Sequence, residues 1–236
     1  MMMKTKSILL IITLIIYSAN IIAQNTDEYL IGGKNIPKDR LIINLISNTW
    51  LNAPDDLKIK PISLSLDVYS MSPIIGKKSQ VSLAMGTGIG TVNYYINSIP
   101  GLDTNNNTIF INIPDSINYK RNKVTASYLD TPIELRFRTN PNSSGRAFKI
   151  AAGFRFGIQL SNHWKYKGTS LDGSDKNIKF KQYNIDNALK YRYGVYFRIG
   201  YGKFTVMGAY SLSNFFEKNK GIELTPVSLG LSFLVI

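Results

Sequence analysis

Val124-Thr125-Ala126-Ser127-Tyr128-Leu129-Asp130-Thr131-Pro132-Ile133-Glu134-Leu135-Arg136-Phe137-Arg138 is the stretch whose reading decides the fold. Leu129, Ile133, Leu135 and Phe137 share one parity, and Tyr128, Asp130, Glu134 and Arg136 share the other. Successive side chains of a strand point to opposite faces, so a period of two makes this a two-faced strand rather than a helix. Beyond the turn residues Asn140-Pro141-Asn142-Ser143-Ser144-Gly145, a second run obeys the same rule. Phe148, Ile150, Ala152, Phe154, Phe156, Ile158 and Leu160 lie on one side, with Lys149, Gly153, Arg155, Gly157 and Gln159 on the other. The apolar side is continuous and aromatic-ended, while the polar side carries Gly and Arg. That pattern suits lipid on one face and a wet or salt-bridged lumen on the other.

The N-terminus reads as an export signal. Lys4 and Lys6 precede an apolar run from Ile8 to Tyr17, and Ala23 stands before the polar Gln24. A basic start, a short apolar core and a small residue at the end predict a secretory signal peptide over 1–23, cleaved between Ala23 and Gln24. The run is shorter than the ~20 residues a spanning helix needs. Residues 24–236 are then expected to form one domain, and they hold no segment long and apolar enough for a membrane helix. Only helices and closed barrels satisfy the backbone in lipid, so a membrane reading requires a barrel. The chain has no Cys, which excludes disulfides and a lipidated cysteine.

The formal net charge of +13 raises the question of a polyanionic partner. Nucleic-acid binders usually gather their bases on one surface. Here Lys and Arg are spread over alternating runs and loops of an exported chain, so no nucleic acid is expected. Lys165, Lys167, Lys179 and Lys181 are instead expected to meet outer-membrane lipid head groups or lipopolysaccharide.

Taken in order, the parity predicts eight strands, at about Arg40–Trp50, Pro61–Ser70, Ser79–Thr91, Val124–Arg138, Phe148–Leu160, Ala188–Tyr201, Phe204–Leu212 and Thr225–Val235. In the first, Ile42 and Ile46 fall on the otherwise polar side. Gly202-Lys203 reads as a two-residue hairpin with Gly first, as a type II′ turn prefers. Residues 93–122 and 162–186 read as long loops whose alternating pieces, Ile109–Ile113 and Ile178–Tyr183, prolong neighbouring strands. Gly86-Thr87-Gly88-Ile89-Gly90 has no helix after it and so is no nucleotide loop. Its glycines are expected to make room in the lumen for Tyr128 and Arg136. The fold class is therefore all-β: an eight-stranded antiparallel up-and-down transmembrane β-barrel, an interior that side chains can fill. Short turns alternate with longer connections, which predicts both termini on the periplasmic side of a bacterial outer membrane.

The chain resembles the PorT-type outer-membrane β-barrel family. The resemblance rests on Tyr128-Leu129-Asp130-Thr131-Pro132-Ile133-Glu134-Leu135-Arg136-Phe137, on Ala151-Ala152-Gly153-Phe154-Arg155-Phe156-Gly157, on Tyr193-Gly194-Val195, and on the ending Leu224-Thr225-Pro226-Val227-Ser228-Leu229-Gly230-Leu231-Ser232-Phe233. It implies an outer-membrane barrel in a family most of whose members have no assigned activity. The name-giving members assist protein export across the outer membrane. Barrels of this type usually end on an aromatic, whereas Phe233 is followed by Leu234-Val235-Ile236.

Asp67, Asp130, Glu134, Arg136, Arg155, Lys190, Arg192 and Arg198 take the lumen parity. Charges confined in a narrow barrel need partners, so these are expected to pair into a network that fills the lumen. The expected role is structural or adaptor; the alternatives are an accessory part in protein export and a narrow anion-preferring channel. Ser161 and the only histidine, His163, suggest a hydrolase pair, but two residues apart on one strand end with no acid to orient the His they make a weak triad, and no enzyme is expected. Nothing in the sequence has metal-ligand spacing, and neither metal nor cofactor is expected.

Overall fold

Alternation along the chain becomes a closed ring in space. The computed structural model describes residues 30–31, 34–35, 39–77, 79–172 and 174–235. The signal segment, with Ala23 and Gln24, lies outside them. Eight antiparallel strands follow one another around the ring: β1 (Leu41–Leu51), β2 (Leu64–Ile75), β3 (Val81–Tyr95), β4 (Tyr119–Arg138), β5 (Phe148–Thr169), β6 (Tyr191–Tyr201), β7 (Phe204–Ser211) and β8 (Thr225–Val235). Each pairs with the next, and β8 returns to β1 with Val235 opposite Leu41. Closure removes the exposed strand edge that an open sheet would present.

The predicted parity holds along the paired part of every strand, ending on β5 at the bulge residue Leu160 and on β6 at Tyr191. Leu135 (55% exposed), Phe197 (46%) and Leu229 (66%) look outward, while Asp67 and Asp130 are fully buried within the ring. Outward apolar side chains without cover suit a ring immersed in lipid. Ile42 and Ile46 are interior residues. Ile42 packs with Tyr69, Met71, Ala84 and Leu234, and Ile46 with Met207 and Ala209. At the β6–β7 hairpin Gly202 has φ +62° and Tyr201 faces Phe204, as a turn with Gly first requires.

Strand β2 and the long connections beside β4 and β5 depart from the expected bounds. Strand β2 runs through Ser72-Pro73 to Ile75, and its register against β3 shifts between Pro73 and Ile75 instead of turning there. Pro132 sits in the middle of β4 without a bulge: the register against β3 is the same on both sides, and the ladder skips only Thr131 and Pro132, where Pro has no N–H. The expected loops are largely sheet. Ser98–Leu102 pairs with Thr108–Asn112 as a separate hairpin, and Asn177–Tyr183 pairs with the upper part of β5. Neither piece prolongs a barrel strand. It is β4 and β5 that extend, pairing from Tyr119↔Gly168 down to Arg138↔Lys149.

The two ends of the ring differ. Connections 52–63, 96–118, 170–190 and 212–224 lie at one end, and the short turns 76–80, 139–147 and 202–203 lie at the other, with both ends of the ring's chain path.

Candidate functional site

The inward residues of β4 divide the interior into layers. At the long-connection end, Val124, Ala126 and Tyr128 join an apolar cluster with Trp50, Tyr94, Trp164, Tyr166, Phe215 and Phe216. Trp50 stacks on Tyr94 at 3.9 Å between ring centres, and Phe215 meets Phe216 edge-on at 5.1 Å. Phe110 of the Ser98–Asn112 hairpin packs 5.8 Å from Trp50. That hairpin is tied to the other connections: Thr108 donates its N–H to the carbonyl of Lys220 and its hydroxyl to that of Asp186, at 2.9 and 2.8 Å. The aromatic cluster therefore closes this end of the ring.

Below it, Asp130 receives Arg192 through two parallel bonds, Nε–Oδ1 3.0 Å and Nη2–Oδ2 2.5 Å. The Tyr69 hydroxyl lies 2.8 Å from Asp130 and 3.1 Å from Asp67, and Arg155 stands 3.6 Å from Asp67. The Arg192 guanidinium also covers the Tyr128 ring at 4.2 Å, a favourable place for a cation on a π face. One layer further down, Arg198 Nη2 donates to both oxygens of Glu134 at 2.6 and 2.7 Å, joined by the Tyr196 hydroxyl at 3.0 Å and by Arg136 Nε. At the short-turn end Asp39 accepts from Lys149 at 2.6 Å and from Arg138 at 3.4 Å.

Glycine makes these pairings possible. Asp130 and Arg192 are both ladder partners of Gly157, on the strand between them. Tyr69 and Asp130 flank Gly88 in the same way, and Glu134 and Tyr196 flank Gly153. A Cβ on Gly157 would overlap Asp130 Oδ1, and one on Gly153 would overlap the Tyr196 ring. The room left by Gly86, Gly88 and Gly90 goes to Met71, to Tyr69, and to Asp130 with Arg192, and not to Tyr128 and Arg136.

Of the residues singled out in the sequence, Asp67, Asp130, Glu134, Arg136, Arg155, Arg192 and Arg198 meet inside the ring. Lys190 does not. It is exposed, one residue before β6 begins, and only its carbonyl takes part, accepting from the N–H of Gln159. Parity extrapolated past the last ladder pair, Tyr191↔Ile158, has no strand to act on. Asp39, Arg138, Lys149, Tyr69 and Tyr196 are members that the list lacked. Arg138 and Lys149 carried the parity signal, whereas Asp39 precedes β1 and carried none. Arg136 Nη1 and Nη2 and Arg198 Nη1 are buried without a partner among the described residues, so bases outnumber acids towards the short-turn end.

The spaces between these side chains are small, about 20 Å³ beside Lys149 and Arg136, about 10 Å³ beside Tyr196, and about 20 Å³ beside Arg155 and Tyr128. Each is the room of roughly one water. Ser161 and His163 both face outward on β5, above the aromatic end of its apolar face, and no hydrogen bond joins them to each other or to an acid among the described residues. Among those residues no cluster of His, Asp or Glu could hold a metal ion.

With the ring closed and its outward face apolar, comparison with known families is decisive: residues 51–217 match the model of the outer membrane protein beta-barrel domain. The chain belongs to that family. As an outer membrane protein beta-barrel domain it is a small barrel of the bacterial outer membrane. The matched stretch holds β2 to β7, and the ladders of β8 with β7 and β1 complete the ring. No curated protein and no solved structure matches the chain.

Proposed function

We propose that this barrel is a sealed structural or adaptor protein, neither channel nor enzyme, with its termini and short turns in the periplasm and its long connections outside. The observation that carries the reading is the commitment of the interior. Among the described residues every buried carboxylate holds at least one Arg or Lys, the aromatic cluster covers the long-connection end, and the gaps beside Lys149, Tyr196 and Arg155 are water-sized. An ion crossing this lumen would have to break buried pairs, each costing several kcal/mol. The orientation is supported by the rule that bacterial barrels keep short turns in the periplasm.

Purified protein in a planar lipid bilayer should show little or no conductance. Steady, anion-selective currents would overturn the sealed reading and put a narrow channel in its place. The PorT-type likeness adds an accessory role in protein export as the alternative use of the same barrel, and stoichiometric recovery of export subunits with the protein from membranes would favour it.

A further inference from the structure

The upper sheet carries a charge pattern that folding alone does not explain. Beyond Ile158 the ladder between β4 and β5 has one extra residue, Leu160, because Tyr128 pairs with Gln159 and Ser127 with Ser161. A bulge of this kind reverses the parity of one strand. Below it Phe154, Phe156 and Ile158 face outward; above it Ser161, His163, Lys165 and Lys167 do. Trp164 and Tyr166 consequently turn inward onto Phe180, at 4.8 and 5.6 Å.

The same register lines up cations across three strands. Lys123, Lys165 and Lys181 are ladder partners in one row, and Arg121, Lys167 and Lys179 in the next. With strands about 4.8 Å apart and about 3.4 Å of rise per residue, the six form a patch of about 10 by 7 Å. Like charges placed directly opposite destabilise a sheet. Among the described residues none of the six makes an ion pair with a carboxylate, and Lys123 donates only to a neutral acceptor, Asn93 Oδ1 at 2.6 Å. The patch also looks sideways from the barrel wall, in line with the lipid-facing side chains of β5, and neither into the lumen nor along its axis.

We infer that this six-cation face is a binding site for the phosphate groups of outer-leaflet lipopolysaccharide. The inference rests on the orientation proposed above. Phosphates placed between the two rows would receive charge-assisted hydrogen bonds from both and relieve the repulsion along each row. The side-facing position, continuous with the apolar belt, selects a ligand whose acyl chains lie against that belt over one dissolved in the medium. Tyr183 extends the face towards the belt, with Lys181 standing 4.3 Å over its ring.

The test uses full-length protein folded in detergent. Lys165→Gln/Lys167→Gln/Lys181→Gln is compared with the parent for binding of intact lipopolysaccharide, dephosphorylated lipopolysaccharide, inorganic phosphate and phosphatidylglycerol vesicles. The parent should bind intact lipopolysaccharide in a salt-dependent way and at least tenfold more tightly than the dephosphorylated form. The triple variant should lose at least tenfold while keeping the electrophoretic mobility of the folded barrel. Equal binding of both forms, undiminished binding by the folded variant, or inorganic phosphate competing as well as the lipid would each overturn the site. Thiol labelling on intact cells separates this from the orientation: a barrel inverted in the membrane refutes the orientation, whereas a correctly oriented barrel indifferent to phosphate refutes the site alone.

Discussion

Asp130 and Arg192 stand on strands that are not paired with each other, yet they form a two-bond ion pair over Gly157, the residue both face in the ladder. Both side chains are at least nine-tenths buried. Removing one member of such a pair leaves a charge without a partner, at about 3–5 kcal/mol, while replacing both with apolar groups of similar size is often neutral. Asp130→Asn should therefore lower stability by about that amount in urea-dependent unfolding from lipid vesicles. Asp130→Leu combined with Arg192→Met should recover most of it. A double variant as unstable as the single one would mean that the pair does more than neutralise itself.

Gly157 supplies a second test. Gly157→Ala and Gly153→Ala each push a methyl into an occupied space, and overpacking of this kind costs about 1–3 kcal/mol. Gly208, around which nothing lies within 4 Å of a new Cβ, is the control, and Gly208→Ala should be silent. If all three behaved alike, the layered interior would be wrong.

The parity of β4 is tested by neighbours. Leu135 faces lipid, so Leu135→Arg should cost about 2–4 kcal/mol near the midplane, and Leu135→Phe should be nearly silent. Arg136 is less critical than its burial suggests. Glu134 keeps Arg198 and Tyr196 when Arg136 is lost, and two Arg136 nitrogens have no partner to lose. Arg136→Leu should stay within about 1 kcal/mol, and Arg198→Leu should cost more, about 1–3 kcal/mol for lost charge-assisted bonds. The reverse order would place the Glu134 charge elsewhere.

His163 reports on the outer face. Burial first, then Lys181, Lys123 and Lys165, holds its imidazole down at about 4 from the usual 6.5. Since the native value lies below the unfolded one, the unfolded chain takes the proton first as the pH falls from 6.5 towards 4. The His163 contribution to stability is thus full above 6.5, declines across that window and changes no further below it. Imidazole NMR on this single-histidine chain should give the low value, and Lys181→Gln should raise it. A parent titrating near 6.5 would show that His163 is neither shielded from water nor flanked by the cations as described.

Orientation is accessible to thiol labelling because the chain has no native Cys. Thr104→Cys, exposed in the hairpin at the long-connection end, should react with an impermeant reagent on intact cells. Ser144→Cys, in the turn between β4 and β5, should react only after lysis. The opposite pattern would invert the topology.

Much of this barrel was legible residue by residue. The outward set on β6, from Tyr191 to Tyr201, and the whole of β8 stand where alternation put them, because a strand's two faces are a local property of the backbone. The interior charges were legible as a set for the same reason. Lys190 failed because parity has no meaning past the last paired residue, and Asp39 could not be found because it belongs to no strand at all.

By itself, then, the sequence determined the strands, their two faces and the ring that an apolar outer face demands. Only the tertiary structure decided which charge meets which. Partners such as Asp130 and Arg192 are brought level by the register of three adjacent strands, and register is a property of pairing between strands distant in sequence. The same is true of the basic outer face. The extra residue at Leu160 turns Lys165 and Lys167 outward beside Lys123, Arg121, Lys179 and Lys181, and a bulge exists only in relation to the strand it is paired with.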